Sequence, residues 1–154
     1  MPLCITAGGV VVALALDTFT LAWTHSIEKL RWEEDYRVEG EALRLTEARI
    51  RGSGAGMDPP AGARLEHGVW HYTPALPALP VLRLTQSQFT PGYELCHDGC
   101  CKPLIEHLPD LADGTIELKV CDEVQASSRE SHRTSGQIQN AVPPRLTNGA
   151  SPCH

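Results

Sequence analysis

A histidine and a glutamate stand where a strand pattern calls for apolar side chains in FTLAWTHSIEKLRWEEDYRV, residues 19–38. With period-two alternation, Phe19, Leu21, Trp23, His25 and Ile27 share one face, and Leu30, Trp32, Glu34, Tyr36 and Val38 share one face of the next run. An imidazole changes protonation near neutral pH, and a carboxylate beside it can recognise a cationic or hydroxylated ligand. Ionisable groups aimed at a core are costly unless paired, so they form either a functional recess or a satisfied internal network. Ser26 follows His25 directly, so on a strand the two side chains point to opposite faces. They cannot act as nucleophile and base unless the strand bulges.

Two-residue loops at Glu28-Lys29 and Glu39-Gly40 would set the register of this region. They place Ile27 opposite Leu30, His25 opposite Trp32 and Trp23 opposite Glu34, then Glu34 opposite Leu45 and Trp32 opposite Glu47. The expectation is a row of His25, Trp32 and Glu47 with Glu34 diagonal to it. The following RGSGAGMDPP is too rich in glycine and proline for regular structure. Its Gly54 and Gly56 either pass close to the polar cluster or take positive φ. Phosphate binding is disfavoured there, because Met57-Asp58-Pro59-Pro60 opens no helix whose N-terminus could hold an anion. The candidate ligand-binding set is therefore His25, Ser26, Glu34, Glu47, Gly54 and Gly56, with no catalytic residue and no cofactor assigned.

Six cysteines stand at 4, 96, 100, 101, 121 and 153. An Asp98-Gly99 turn makes His97 face Cys100 and Cys96 face Cys101, close enough for a cross-strand disulfide. The rival is a metal site drawing on Cys96, His97, Cys100, Cys101, His107 and Cys121, but the paired Cys-x-x-Cys knuckles that zinc favours are missing. Cys4 and Cys153 are read as free thiols.

The elements that must position these groups are short strands. Gly8-Gly9 reads as a hairpin turn with Ala7 facing Val10, and 19–27, 30–38 and 42–51 read as a three-stranded meander. Further strands are expected at 69–72, 81–85, 93–97 and 115–121, an extended proline run at 74–80, and one short helix near 103–108. With 12 prolines, 13 glycines and little amphipathic helix, the chain reads as one all-β domain over 3–121, a small antiparallel barrel or sandwich. Residues 122–154 are too polar to offset their ordering entropy and read as a disordered tail. A net charge of −6 without a basic stripe excludes nucleic acid as a partner. The apolar opening, broken by Gly8-Gly9, is too short for a transmembrane segment and unconvincing as a secretory signal. A cytoplasmic location, or one peripheral to the inner membrane, is expected, with periplasmic exposure left open.

AWTHSIEKLRWEEDYRV, RGSGAGMDPP and YELC followed by Cys101 resemble an uncharacterised bacterial family, domain of unknown function eighteen-fifty. The resemblance runs over roughly 3–121 and places the family pattern on Phe19, His25-Ser26, Glu34 and Gly54 to Met57. Cys96 and Cys101 look like the family's matching pair, while Cys100 departs from it. Family members are typically encoded beside TRAP transporters of the TAXI type, and many carry an N-terminal membrane anchor. The resemblance implies a non-catalytic accessory or binding protein of such an uptake system, with transporter subunits or a small organic ligand as partner. A small hydrolase or metal-dependent enzyme using His25 and Glu34 is the alternative.

Overall fold

The computed structural model describes residues 1–25, 29–52 and 59–122. Two-residue hairpin turns that each contain a glycine, Gly8-Gly9, Gly40-Glu41, His67-Gly68 and Asp98-Gly99, build most of it. Strands β1 (Leu3–Ala7) and β2 (Val10–Leu14) join through Gly8 and Gly9 at φ 54° and 79°, the left-handed pair that a tight hairpin turn needs, and Ala7 pairs with Val10 as expected. The meander follows as β3 (Thr18–Thr24), β4 (Arg31–Glu39) and β5 (Ala42–Arg51). After it come β6 (Arg64–Glu66), β7 (Val69–Tyr72), β8 (Leu82–Gln86), β9 (Glu94–His97), β10 (Cys100–Pro103), a single 3-10 turn at Leu104–His107, and β11 (Gly114–Val120).

The strands form two antiparallel sheets, ordered β2-β1-β11-β8 and β10-β9-β3-β4-β5-β7-β6. Neither sheet closes on itself, so the architecture is the sandwich and not the barrel. Leu3, Ile5, Leu84, Ile116 and Leu118 of the smaller sheet share one core with Phe19, Leu21, Tyr36, Leu43, Leu45 and Leu95 of the larger. Leu104 and Leu108 close one side of that core from the 3-10 turn and its cap. Truncating any of the fully buried leucines to alanine costs about 2–5 kcal/mol. No helix among the described residues is long and apolar enough to cross a membrane.

The meander's register differs from the sequence expectation in three places. Trp23 pairs with Trp32, and Leu21 with Glu34, because the β3–β4 connection is longer than two residues: the His25 amide donates to the Leu30 carbonyl at 2.9 Å. His25 therefore does not face Trp32. The second difference is the β4–β5 turn, which is Gly40-Glu41 and not Glu39-Gly40: Glu39 pairs with Ala42, so Tyr36 and not Glu34 faces Leu45. The third is a bulge in β5. Tyr36 faces Leu45, yet Asp35 faces Glu47, leaving Thr46 as an extra residue. Side chains switch faces across it. Leu43 and Leu45 are buried on the core side before the bulge, and Ala48 and Ile50 after it. Glu47 is thereby turned to the outer face, away from Trp32 and Glu34.

Cys4, expected as a free thiol, is bonded to Cys121 with Cα atoms 5.8 Å apart. The physical reason is the pairing of β1 with β11, which brings the two ends of the domain together and which no local pattern announces. Cys96 is bonded to Cys101 directly across the β9–β10 hairpin, and Cys100 is also in a disulfide, so the described residues hold no free thiol. Cys153 lies outside the described residues, as does the expected tail beyond Asp122.

Candidate functional site

The larger sheet separates two kinds of chemistry by the parity of its strands. Its inner face carries all three tryptophans and all three tyrosines of the chain. One cross-strand row runs through Trp23, Trp32, Ile50 and Trp70, with the Tyr93 ring 5.7 Å from that of Trp23. The adjacent row runs Leu95, Leu21, Glu34, Ala48, Tyr72. Glu34 is the acidic side chain in this aromatic surround. The Trp23 and Trp32 rings stack at 6.0 Å, and Phe19 stacks on Tyr36 at 5.4 Å.

The Tyr36 hydroxyl donates to Glu34 Oε2 at 2.5 Å. Burial pushes the Tyr36 phenol well above its ordinary pKa, and the hydrogen bond to Glu34 and its negative charge push it further. Tyr72 and Tyr93 are raised in the same way, first by burial and then by the field of Glu34. All three hydroxyls thus stay protonated around one carboxylate. Leu21 and Ala48 on either side of Glu34 are buried at 1% and 0% exposure, whereas Glu34, Trp23, Trp32, Tyr72 and Tyr93 are only half-buried. Solvent reaches this inward-pointing cluster. The Trp32 indole Nε1 is itself buried and has no hydrogen-bond partner among the described residues.

The outer face is a charge network. Arg49 makes a two-pronged bond to Asp35, one arm at 2.8 Å, and reaches Glu47 at 3.3 Å. Glu47 also bonds His71 Nδ1 at 2.7 Å, and Glu33, 8% exposed, takes Arg51 at 2.6 Å. Burial raises Asp35, but the Arg49 and Thr20 hydrogen bonds and the Arg49 charge outweigh it and hold the carboxyl below its usual range. The His71 hydrogen bond does the same for Glu47 against a smaller burial effect. Thr20, Glu33, Asp35, Thr46, Arg49 and the Cys96 hairpin line an open depression of about 900 Å³. Its charged floor is internally paired, which is the signature of a structural network. Among the described residues the one cluster with metal-ligand spacing is Glu94, Cys96 and Cys101, and both sulfurs are committed to the disulfide.

The sequence-selected residues are thus divided. Glu34 lies on the inner face among the aromatic side chains and Glu47 in the outer network; His25, half-buried, lies just past the end of β3. Ser26, Gly54 and Gly56 lie outside the described residues. Alternation pointed to Glu34 and set Trp32 in the row beside it, but did not select Tyr36, Tyr72 or Tyr93. The signal for them was present: within β3, β4 and β7 every Trp and Tyr falls on one parity.

The family described as a domain of unknown function (DUF1850) matches residues 19–104, which takes in the recess and the outer network alike. No curated protein and no solved structure matches the chain.

Proposed function

This chain belongs to the domain of unknown function family DUF1850, and from that premise we propose that it is a non-catalytic binding protein serving a TAXI-type TRAP transport system. Its ligand contact is the recess around Glu34. The observation that carries this reading is a single carboxylate held among aromatic rings on the inner face of an otherwise apolar sheet, still open to solvent. Such an arrangement is suited to recognition: rings supply area and a carboxylate supplies orientation. The transporter link comes from the gene neighbourhood that the family resemblance implies, with transporter subunits or a small organic solute as partner. The disulfides Cys4–Cys121 and Cys96–Cys101 favour an oxidising compartment.

Co-purification tests the proposal. The tagged full chain should retain transporter subunits, with retention altered by the transported solute and by Glu34→Gln. A folded protein that retains no subunit with or without solute would sink the transporter link.

A further inference from the structure

The Cys96–Cys101 bond lies across an edge hairpin of the larger sheet, whose order begins β10-β9-β3. Its two sulfurs differ in access, because Cys96 is 8% exposed whereas Cys101 is open to solvent. Thiol–disulfide exchange is an in-line displacement: the incoming sulfur approaches along the S–S axis from behind the sulfur it attacks. Behind Cys96 that axis runs into β3, where Thr20 is its cross-strand partner. Behind Cys101 it runs off the sheet, since β10 is the edge strand. Both cysteines line the open depression of about 900 Å³. Access therefore selects Cys101 for attack and Cys96 as the leaving sulfur.

Two charged side chains attend that bond. Arg31 reaches from β4 across β3 to the hairpin, and its Nη2 donates to Cys101 Sγ at 3.8 Å. The same guanidinium holds the Glu94 carboxylate at 3.3 and 3.4 Å, and a Glu94 oxygen lies within 4.8 Å of both sulfurs. A cation there draws an incoming thiolate and stabilises the Cys101 thiolate that reduction leaves behind. A carboxylate within reach of two sulfurs can take a proton from one thiol and return it to another, directly or through one water. Among the described residues Arg31 is the charged group against Glu94; β3 presents Ala22 to it and β10 presents Pro103 and Cys101. Glu33, beyond Ala22 in the same cross-strand row, is engaged by Arg51. The Cys4–Cys121 bond has no such company. Its cysteines are 0% and 5% exposed, and Cys121 Sγ meets the Pro2 carbonyl.

We propose that the Cys96–Cys101 hairpin is a thiol–disulfide exchange site that passes its disulfide to a partner dithiol. A partner thiol attacks Cys101 Sγ, its proton passing to Glu94, and the S–S electron pair leaves with Cys96. Glu94 returns that proton to the Cys96 thiolate. The partner's second thiol then displaces Cys101 from the mixed disulfide; Cys101 departs as a thiolate against Arg31 and takes up the second proton. One disulfide is formed on the partner as one is opened here, and two electrons and two protons have moved to Cys96 and Cys101. The site lies on the outer face of the sheet, opposite Glu34, and stands independently of the binding reading above.

The full oxidised chain treated with glutathione, quenched in acid, alkylated and mapped by mass spectrometry tests the direction of attack. Mapping cysteine by cysteine also separates Cys101 from its disulfide-bonded neighbour Cys100. Glutathione should be found on Cys101 with Cys96 free; glutathione on Cys96 with Cys101 free overturns the assignment. With dithiothreitol, Cys96–Cys101 should open at least about tenfold faster than Cys4–Cys121, and an equal or slower opening refutes an exchange site. Arg31→Gln should slow the opening about three- to tenfold, and Arg31→Lys, which keeps the charge, should recover most of the rate. Glu94→Gln should slow it about tenfold at about pH 6.5, where the reductant is a thiol, and far less at about pH 9, where much of it is already thiolate and needs no base. A loss of equal size at both pH values would assign Glu94 to the shape of the hairpin and remove it from the proton transfer.

Discussion

The Tyr36 hydroxyl donates a 2.5 Å hydrogen bond to Glu34, two residues earlier on the same face of β4. The pair makes a buried phenol the fixed end of a partly exposed carboxylate, since Tyr36 is 3% exposed and packed on Phe19. Orientation of the recess is thereby anchored in the core.

Tyr36→Phe keeps the ring packing and removes the donor. Hydrogen bonds to charged groups contribute about 1.5–3 kcal/mol, so the variant should lose about that much stability in urea unfolding. Binding at the recess should weaken as well, because Glu34 loses its fixed orientation. An unchanged unfolding midpoint would show that the hydrogen bond contributes nothing net.

The acid limb of stability should belong to the outer face. Asp35 and Glu47 both have folded-state pKa values below their ordinary values of 3.8 and 4.5. Groups of this sign contribute stability above the unfolded pKa and lose it as pH falls through the folded one. Urea midpoints should therefore be flat near neutrality and drop from about pH 4.5 downward. Asp35→Asn should lower the midpoint at pH 7 and make the drop shallower; a drop of unchanged steepness would place the titrating groups elsewhere.

Much of the architecture was legible in the sequence for simple reasons. Gly8-Gly9 and Asp98-Gly99 are turn dipeptides with no better use, and alternation from Phe19 to Tyr36 fixed which parity faces the core. What failed was register. The two-residue connection assumed at Glu28-Lys29 was wrong by enough to exchange His25 for Trp23 opposite Trp32. The bulge at Thr46 then moved Glu47 to the other face. Its trace was visible as a gap in the apolar spacing, Leu43, Leu45, then Ala48, Ile50, which regular alternation cannot produce. Contacts between sequence-remote strands, such as β1 with β11, leave no local signal.

Deleting Thr46 would restore an unbroken ladder between β4 and β5. Leu45, Glu47 and Ala48 would then alternate regularly, so Leu43, Leu45, Ala48 and Ile50 all keep the core side and Glu47 the outer face. The expected cost is about 0.5–1.5 kcal/mol, from the lost bond between the Thr46 hydroxyl and the Asp35 carbonyl at 3.1 Å. Thermal unfolding followed by circular dichroism checks this, and a loss of several times that size would show that the bulge itself is required for the inner face.

Reduction of Cys4–Cys121 should cost more than reduction of Cys96–Cys101. The first closes a sequence separation of 117 residues and the second of 5, and loop-closure entropy grows with length. Cys4→Ser with Cys121→Ser is expected to lose about 2–5 kcal/mol, read as the shift in urea midpoint. Thiol labelling of the native protein without reductant should leave Cys4, Cys96, Cys101 and Cys121 unmodified. Rapid labelling of Cys96 and Cys101 would remove the hairpin bond.

The Cys121 amide donates to the Pro2 carbonyl at 3.1 Å beside the Cys4–Cys121 bond, so chain entry and exit share one corner of the smaller sheet. Mechanically the domain is a loop hung from a clasp. Tension applied between its two ends passes through a covalent sulfur bridge and bypasses the strand ladders entirely. Such a domain lets its two flanking segments be pulled in opposite directions without opening the aromatic recess, and it becomes force-sensitive only after the clasp is reduced.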